Sequence, residues 1–561
     1  MKQIIECVPN FSEGRDLSLI KQITDSIESV KGIRLLNVDP GYATNRTVVT
    51  FVGEPELVIE AAFIAIRCAS ELIDMRYHKG EHPRFGATDV CPLIPISDIT
   101  MDETVEYARK LAKRVGEELG LPVYCYEFAA FEEKRRSLAN CRAGEYEGLA
   151  EKLKTSGWQP DYGKAIFNER SGAIAIGARN FLIAYNINLN TTSVRLANSI
   201  AFDVRESGRV KRDGDPITGK IITDENGEQV RIPGTLKNVR AIGWFIKEYG
   251  IAQISINLTD ITATPIHIAF DEVCERARDR GIRVTGSELI GMIPLQALLN
   301  AGKYYLQKQQ RSLGIPDREI IKIAVKSLGL DELSTFDPDK RIIEYILAED
   351  VDKLINLKLS DFVRETASDC PAPGGGSVAA LTGALGAALG VMVANLTSHK
   401  RGWDSRWEEF SNWAEKGKVI YEELLKLVDK DTEAFNQIME AFKLAKETPK
   451  ELATRNEAIQ SATQNAIFVP FRVMQLSYQS FEIIEAMIET GNPNSETDAG
   501  VGALCAATAI SGAYLNVLVN SLSFDDKEAI SGILCEAENL EIAAKKRCEE
   551  IQSLVRKKLG N

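Results

Sequence analysis

An uncharged stretch of small residues in the second half of the chain most constrains its fold. Residues 377–396 are mostly alanine, glycine, valine and leucine, and residues 498–522 have a similar composition. Such a stretch is long enough to cross a bilayer, which takes about 20 apolar residues. Residues 377–396 lack an aromatic belt at both ends, however, and their small side chains suit close helix packing. Charged amphipathic stretches at 403–444, 449–488 and 526–558 would cover both apolar helices. We therefore predict an all-α helical bundle without a membrane span.

The first half alternates strand patterns with helical patterns, which is typical of a mixed sheet covered by helices. A first round of this pattern begins at residues 3–8, and a second round begins with a strand at residues 181–189. We predict a multi-domain chain whose N-terminal half is α/β (α+β) with two related mixed-sheet subdomains. The predicted boundaries are 1–180 and 181–345 for the two subdomains, 346–358 for a linker and 359–561 for the helical domain.

Charge and cysteine content exclude some classes of protein. The 561-residue chain has a formal net charge of −13, whereas a nucleic-acid-binding protein normally presents a basic face. Ten cysteines are scattered without a C-x-x-C pair, which argues against a structural zinc site or a disulfide framework and favours a reducing compartment. The N-terminus enters a strand pattern directly, without an apolar signal region. We expect a cytoplasmic protein that binds no nucleic acid.

A loop at residues 75–89 contains two of the four histidines, His78 and His82. Gly80 and Pro83 would interrupt a helix there. Histidine takes and returns a proton near neutral pH, and such groups commonly lie on loops of a rigid scaffold; a surface loop with incidental histidines is the alternative. A zinc site is disfavoured, because H-K-G-E-H has its glutamate in a different place from H-E-x-x-H zinc sites and contains a helix-breaking glycine.

Several motifs of the first half resemble the glutamate formimidoyltransferase family. They occur in the family's order, at residues 7–14 (CVPNFSEG), 44–48 (TNRTV), 78–95, 177–179 (GAR) and 186–189 (NINL). The resemblance implies that the histidine of G-E-H-P-R, here His82 with Glu81, Pro83 and Arg84 around it, is catalytic.

The resemblance also implies a folate-binding segment, of which only the flanks look like the animal form of the family. Its residues are Gly163, Lys164, Ala165, Ile166, Phe167, Asn168, Glu169, Arg170, Ser171 and Gly172. Arg46 and Arg84 are candidates for binding substrate carboxylates, and structural ion pairs are their alternative role.

A glycine run, residues 370–377 (CPAPGGGS), precedes the first apolar helix. It has no G-x-x-x-x-G-K-[ST] pattern, so it is either an anion-binding turn or a tight turn capped by Ser377. Together with residues 428–435 (VDKDTEAF) and 513–520 (AYLNVLVN), it resembles the formimidoyltetrahydrofolate cyclodeaminase family, which includes methenyltetrahydrofolate cyclohydrolases.

This second resemblance implies that Asp431, the second acid of V-D-x-D-x-x-A-F, is catalytic. Asp429 need not share its site, because residues two apart on a helix point in different directions. Asn516 and Asn520 lie four apart on one helical face and would either bind a pterin or join two helices.

Together the resemblances imply a bifunctional folate enzyme of histidine degradation. It would move a formimino group from N-formimino-L-glutamate to tetrahydrofolate, a co-substrate that can be polyglutamylated, and then cyclise the product with release of ammonia. A transferase fused to a cyclohydrolase is the alternative, and a non-catalytic folate-binding protein is a third hypothesis. We expect no metal, and a homo-oligomer formed through the helical domain.

Overall fold

The computed structural model describes residues 3–42, 45–80, 84–214, 219–225, 227–247, 249–347, 353–370 and 372–560. The chain forms two compact units. One contains residues 1–297 and 328–348, and the other contains residues 298–327 and 349–561. Residues 298–327 thus belong to the second unit, although they precede the predicted linker in sequence.

The first 180 residues form a mixed sheet covered by helices. Its elements are β1 (Ile4–Cys7), β2 (Asn10–Phe11), α1 (Leu17–Glu28), β3 (Arg34–Gly41), β4 (Arg46–Gly53), α2 (Pro55–Leu72), β5 (Thr88–Ser97), α3 (Met101–Glu118), β6 (Val123–Glu127), α4 (Leu138–Arg142), α5 (Leu149–Lys154) and β7 (Ile174–Ala178).

Seven described strands pair in the order β1-β4-β2-β5-β7-β6, with β3 beside β4 and β1 also beside β5. The β5–β7 and β7–β6 pairs are parallel and the others are antiparallel. Helix α2 begins at Pro55, and the Thr100–Glu103 capping box opens α3. Both helix starts therefore have local causes in the sequence.

The two faces of this sheet differ in chemistry. Side chains alternate along a strand, so Ile5 and Cys7 join the apolar core that contains residues of α1, α2 and α3, whereas Glu6 lies on the opposite face. Val90 and Tyr126 belong to a separate, smaller cluster. We call the face that carries Glu6, Val90 and Tyr126 the second face.

Residues 183–347 repeat the sheet-and-helix arrangement. Their elements are β8 (Ile183–Leu189), α6 (Val194–Val204), β9 (Arg209–Val210), β10 (Arg212–Asp213), β11 (Lys220–Ile221), β12 (Arg231–Ile232), β13 (Val239–Ile246), β14 (Ile251–Leu258), α7 (Ile266–Arg278), β15 (Val284–Ile290), α8 (Leu295–Lys308), α9 (Asp317–Leu328), α10 (Pro338–Arg341) and α11 (Ile343–Leu347). An antiparallel sheet has the order β13-β14-β8-β15. Buried Asn188 and Gln253 hydrogen-bond to each other on neighbouring strands.

The remainder of the chain is helical. Its helices are α12 (Leu359–Thr366), α13 (Gly375–Ser398), α14 (Trp407–Lys443), α15 (Pro449–Thr490), α16 (Glu496–Leu522) and α17 (Lys527–Lys558). A mixed-sheet N-terminal half and a helical C-terminal half confirm the predicted fold class.

Glycines let the apolar helices α13 and α16 approach closely. A Cβ on Gly386 would lie 2.8 Å from the Gly502 carbonyl oxygen, so a larger residue at 386 would separate the two backbones.

By length and composition alone, two helical segments could cross a membrane. Gly375–Ser398 has a mean hydropathy of 1.9, and 61% of its apolar window is buried. Pro493–Leu522 has a mean hydropathy of 1.6, and 39% of its apolar window is buried. Helix α13 is therefore mainly interior, and α16 keeps an exposed apolar face.

Candidate active sites

The loop before His82 is fixed to two neighbouring segments. Met75 N–H donates to the Arg170 carbonyl at 2.8 Å, and Asn45 Nδ2 donates to the Lys79 carbonyl at 3.0 Å. Asn45 Oδ1 also accepts from Gly14 N–H at 3.0 Å, so Asn45 joins this loop to the CVPNFSEG segment. His82, with Glu81 and Pro83, lies outside the described residues.

His78 is held in one protonation state by its two neighbours. Its Nε2 donates to the Asn45 carbonyl at 2.8 Å, and its Nδ1 accepts from Arg84 Nε at 3.3 Å. Burial lowers the pKa of His78, and the nearby Arg84 charge adds to this effect. The two ring nitrogens of His78 thus join Asn45 to Arg84. Among the described residues no group of three or more His, Cys, Asp and Glu side chains could hold a metal ion.

Arg84 is engaged by two carboxylates. Its Nη1 and Nη2 donate to the Glu147 carboxylate at 2.8 and 2.7 Å, and Nη1 also donates to Glu145 at 3.1 Å. This bidentate geometry agrees with the alternative role of Arg84, which is a structural ion pair. The arginine thereby connects the loop around residue 84 to the segment after α4.

Arg46 lies in a cluster that carries more positive than negative charge. Asp89 is fully buried, and its Oδ2 lies 2.9 Å from Arg46 Nη1 and 2.6 Å from Arg142 Nη2. Asn10 Oδ1 accepts from Arg46 Nε and Nη2 at 3.0 and 2.7 Å. Burial lowers the pKa of Arg46 to about 10, with Asp89 opposing. Among the described residues, two guanidinium groups of this cluster thus face one carboxylate.

Arg142 was not singled out in the sequence. It ends the short helix α4, 53 residues after Asp89, and no local pattern marks it. Only the folded chain brings it to Asp89.

The predicted folate segment, residues 163–172, lies beside the histidine loop at one end. Gly172 pairs with Gly86 in a β-bridge, and the Ser171 carbonyl accepts from Ala87 N–H at 2.8 Å. A Cβ on Gly172 would lie 2.2 Å from the Phe85 carbonyl oxygen, which explains a glycine there.

The rest of this segment is packed at Phe167 and exposed before it. Phe167 packs on Tyr146 with ring centroids 5.4 Å apart, and Ile166 is 66% exposed. The structure thus brings one half of the segment to the histidine loop and leaves Lys164, Ala165 and Ile166 on the surface.

In the second unit, the Asp431 carboxylate lies against the first turn of α13. A Cβ on Gly376 would lie 2.1 Å from Asp431 Oδ1, so only glycine permits this approach. Ser377 Oγ lies 3.1 Å from Asp431 Oδ2 and 2.9 Å from the Val428 carbonyl oxygen. Burial raises the pKa of Asp431, while hydrogen bonding by Ser377 opposes that rise.

Asp429 has a different environment. Its Oδ1 accepts from Leu354 N–H at 2.8 Å, which fixes the short 3₁₀ turn Leu354–Asn356 that precedes α12. Burial raises its pKa, and the Leu354 N–H opposes the rise. Asp429 thus orders the segment leading into the bundle and does not share the Asp431 environment.

The two asparagines of α16 have different hydrogen-bond partners. Asn520 Nδ2 donates to the Ala466 carbonyl of α15 at 2.6 Å, which is a helix–helix contact. Asn516 Nδ2 donates within its own helix to the Gly512 carbonyl at 2.9 Å. Since a Cβ on Gly375 would lie 3.6 Å from Asn516 Nδ2, Asn516 lies beside the glycine turn that also holds Asp431.

The α/β unit and the helical unit thus each contain one polar cluster around a predicted site residue or its loop. Three family models match consecutive parts of the chain. The formiminotransferase domain, N-terminal subdomain, matches residues 4–179, the formiminotransferase domain matches 184–348, and the formiminotransferase-cyclodeaminase family matches 358–539.

Curated relatives agree with these matches. The formimidoyltransferase-cyclodeaminase of Rattus norvegicus is 41% identical over 96% of this chain and 97% of its own length. The glutamate formimidoyltransferase of Thermoplasma acidophilum is 42% identical over 54% of this chain and 92% of its own, and the methenyltetrahydrofolate cyclohydrolase of Methylorubrum extorquens is 35% identical over 36% and 99%. The chain belongs to the formimidoyltransferase-cyclodeaminase family.

Proposed function

We propose that this chain transfers the formimino group of N-formimino-L-glutamate to N5 of tetrahydrofolate, and then cyclises the product to 5,10-methenyltetrahydrofolate with release of ammonia. The observation that carries this proposal is the similarity over almost the whole length to enzymes named for both activities. The cyclohydrolase alternative has weaker support, because the cyclohydrolase relative matches 36% of the chain and the two-activity relatives match 94% or more.

For the transferase we propose His82 as the general acid and base. The tetrahydrofolate N5 attacks the formimino carbon and forms a new N5–C bond, and His82 takes the N5 proton. The bond from that carbon to the glutamate nitrogen then breaks, and His82 returns the proton to this nitrogen. The Arg46–Asp89–Arg142 cluster supports the proposal, because guanidinium groups are suited to binding the carboxylates of formiminoglutamate or of the folate tail. Folate binding by residues 163–172 is proposed on the family resemblance and on their pairing with Gly86.

For the cyclodeaminase we propose that Asp431 shuttles one proton. The folate N10 attacks the formimino carbon and forms the second C–N bond of the bridge, while Asp431 accepts the N10 proton. Asp431 then donates it to the exocyclic nitrogen, whose bond to carbon breaks as ammonia leaves. The transfer thus moves one carbon group and one proton, the cyclisation moves one proton and releases ammonia, and the proposed steps use no metal.

Ser377 is suited to both protonation states of Asp431. Its hydroxyl can donate to the ionised Asp431 at 3.1 Å. When Asp431 is protonated, the same hydroxyl can turn to the Val428 carbonyl at 2.9 Å and accept the Asp431 proton in a hydrogen bond. Neither state leaves a buried polar group unpaired, which suits a residue that must change state in every turnover.

We further propose that the chain is a cytoplasmic homo-oligomer that takes polyglutamylated folate, with a second copy covering the exposed face of α16. Leu515, Val519 and Leu522 are 66%, 57% and 78% exposed. They recur at the spacing of one helical face, and α16 has no charged residue after Asp498. A second copy offers the same apolar face in return, as a two-fold interface requires.

We expect His82→Ala to abolish formimino transfer while ammonia release from supplied 5-formiminotetrahydrofolate persists. Loss of a general acid and base typically lowers a rate by about 100- to 10,000-fold. Formiminoglutamate consumption and ammonia production would be measured on the same preparation. Transfer within a few-fold of the wild-type rate would refute the assignment of His82. A wild-type protein that releases no ammonia from the 5-formimino compound would instead support the cyclohydrolase alternative.

The glycine turn offers a matched pair of variants. Gly376→Ala places a Cβ 2.1 Å from Asp431 Oδ1. A Cβ at Gly375 would have Asn516 Nδ2 as its nearest atom, at 3.6 Å, which is an ordinary van der Waals distance. We expect Gly376→Ala to lower the rate of ammonia release by about 100-fold or more and Gly375→Ala to remain within a few-fold of wild type. Transfer should be unchanged in both variants, which controls for folding of the α/β unit, and Gly375→Ala controls for the effect of an added methyl group on the glycine turn. Equal losses of ammonia release in the two variants would contradict this role for Gly376.

Ser377→Ala tests the protonation of Asp431. Loss of the Ser377 hydroxyl removes a hydrogen bond that lowers the pKa of Asp431. The acidic limb of the pH profile of ammonia release should therefore move to higher pH. The rate of ammonia release should fall more at pH 6 than at pH 8. Thr432→Val is the control, since Thr432 Oγ1 lies 3.3 Å from Ser377 Oγ and is not one of the groups that shift the Asp431 pKa. A uniform loss at every pH would indicate a purely structural role for Ser377.

The oligomer proposal has a matched pair of valines. Val519 on α16 is 57% exposed and Val419 on the charged helix α14 is 65% exposed. We expect Val519→Asp to lower the molar mass measured by light scattering at micromolar concentration, because a buried charge at the interface has no partner, and Val419→Asp to leave it unchanged. A wild-type monomer, or a mass that is the same for wild type and Val519→Asp, would exclude this interface.

A further inference from the structure

The first turn of α13 lies between two other helices of the bundle. On one side is Asp431 of α14, because a Cβ on Gly376 would lie 2.1 Å from its Oδ1. On the other side is Asn516 of α16, because a Cβ on Gly375 would lie 3.6 Å from its Nδ2. Consecutive Cα atoms are about 3.8 Å apart, so the two side chains flank neighbouring residues of one turn.

The packing of α16 on α13 fixes this position of Asn516. A Cβ on Gly386 would contact the Gly502 carbonyl oxygen, and a Cβ on Gly512 would lie 3.4 Å from Ala379 Cβ. The contact moves back along α13 as it moves forward along α16, so the two helices are antiparallel. The next turn of α16 therefore brings Asn516 level with the first turn of α13.

The surface between Asp431 and Asn516 is open. Gly375 is exposed, and the two flanking side chains belong to partly exposed residues. A flat ligand that lies over Gly375 can thus contact the carboxylate of Asp431 with one part and the carboxamide of Asn516 with another.

Asn520, one turn further along α16, has a structural explanation. Pro470 lies inside α15 and has no N–H, so the carbonyl of Ala466, four residues earlier, lacks its usual helical donor. Asn520 Nδ2 donates to this carbonyl at 2.6 Å. Since an unpaired buried carbonyl is costly, Asn520 replaces the donor that the proline removes.

Asn516 has no such structural explanation. Its Nδ2 donates to the Gly512 carbonyl at 2.9 Å, but within a helix that carbonyl already accepts the backbone N–H of the residue four positions later. The Asn516 side chain forms no other hydrogen bond with the described part of the chain. One N–H donor and the Oδ1 acceptor therefore remain for a ligand, and the bond to Gly512 holds the amide in one orientation.

We propose that Asn516 binds the lactam edge of the pterin ring of 5-formiminotetrahydrofolate, namely its N3–H and its C4 carbonyl, while the formimino group faces Asp431. This inference rests on the proposed cyclodeaminase function and assigns the residue that recognises the pterin. Asn516 is a binding residue, and the proton steps remain with Asp431.

The substrate presents these two parts side by side. C4 and N5 are bonded to the same ring carbon, so the C4 carbonyl and the formimino group on N5 are neighbours. A carboxamide offers one donor and one acceptor, and the lactam offers the complementary pair, so two hydrogen bonds can form. A pterin held in this way by Asn516 directs its formimino group toward the other side of the turn, where Asp431 lies.

The test is Asn516→Ala, measured with two inhibitors of ammonia release from 5-formiminotetrahydrofolate. One is tetrahydrofolate, which has the lactam edge. The other is 4-amino-4-deoxytetrahydrofolate, in which N3 is an acceptor and the C4 substituent is a donor, so that the edge is inverted. Loss of two hydrogen bonds reduces affinity by about 10- to 100-fold. We expect the inhibition constant of tetrahydrofolate to rise by about that factor, and that of the analogue to change less than about threefold.

Asn520→Ala is the matched control on the same helix. We expect it to lower the Tm by about 2 to 10 °C, because it leaves the Ala466 carbonyl unpaired, and to keep the wild-type ratio of the two inhibition constants. Asn516→Ala should not lower the Tm, because alanine has the higher helix propensity and the Gly512 carbonyl keeps its backbone donor.

The pH profile separates binding from an effect on the acid. Asn516 is not one of the groups that shift the pKa of Asp431, so the acidic limb of ammonia release should keep its wild-type position in Asn516→Ala. An equal rise of both inhibition constants, or an unchanged constant for tetrahydrofolate, would overturn the inference. A wild-type protein that releases no ammonia from the 5-formimino compound would instead refute the proposed cyclodeaminase function, so the two failures are distinguishable.

Discussion

The high free energy of a charge held away from water is the constraint on which both sites depend. Asp89 is fully buried, and its carboxylate is stable there because two guanidinium groups and the Phe85 N–H surround it. Removing one partner of such a set typically costs about 3 to 5 kcal/mol. The N-terminal strands, the loop after α2 and the short helix α4 are therefore fixed to one another by a charge cluster, and this cluster lies next to the loop that continues to His82.

Close backbone approach makes the second site possible. An ionised carboxylate is stabilised at the N-terminus of a helix, where free N–H groups point outward. Asp431 comes from the middle of α14 and reaches the first turn of α13 only because Gly376 has no side chain. The same small residues continue along α13 and bring it against α16, so one composition serves both the packing of the bundle and the placement of its acid.

Periodicity in the sequence was sufficient for the fold class and for many elements, because alternation along strands and the apolar faces of helices are local properties. The capping box at Thr100 and the proline that opens α2 are local features of this kind. His82 and Asp431 came from family motifs, and geometry does not test their roles. The contact of Arg142 with Asp89 could not be predicted, because a contact across 53 residues has no signature in the local spacing of the sequence. The packing of residues 298–327 with the helical unit was likewise a long-range outcome.

The two sites treat their carboxylates in different ways, and the difference follows from the roles we assign to them. Asp431 must hold a proton and give it up again within one active site, so the chain itself provides a partner for each state: Ser377 for the ionised acid, and the turn of the same hydroxyl to Val428 for the protonated one. Asp89 instead lies between two guanidinium groups, with Oδ2 2.9 Å from Arg46 Nη1 and 2.6 Å from Arg142 Nη2. This arrangement suits fixing the surrounding strands and α4, because the loss of either partner would leave buried charge without its counterion.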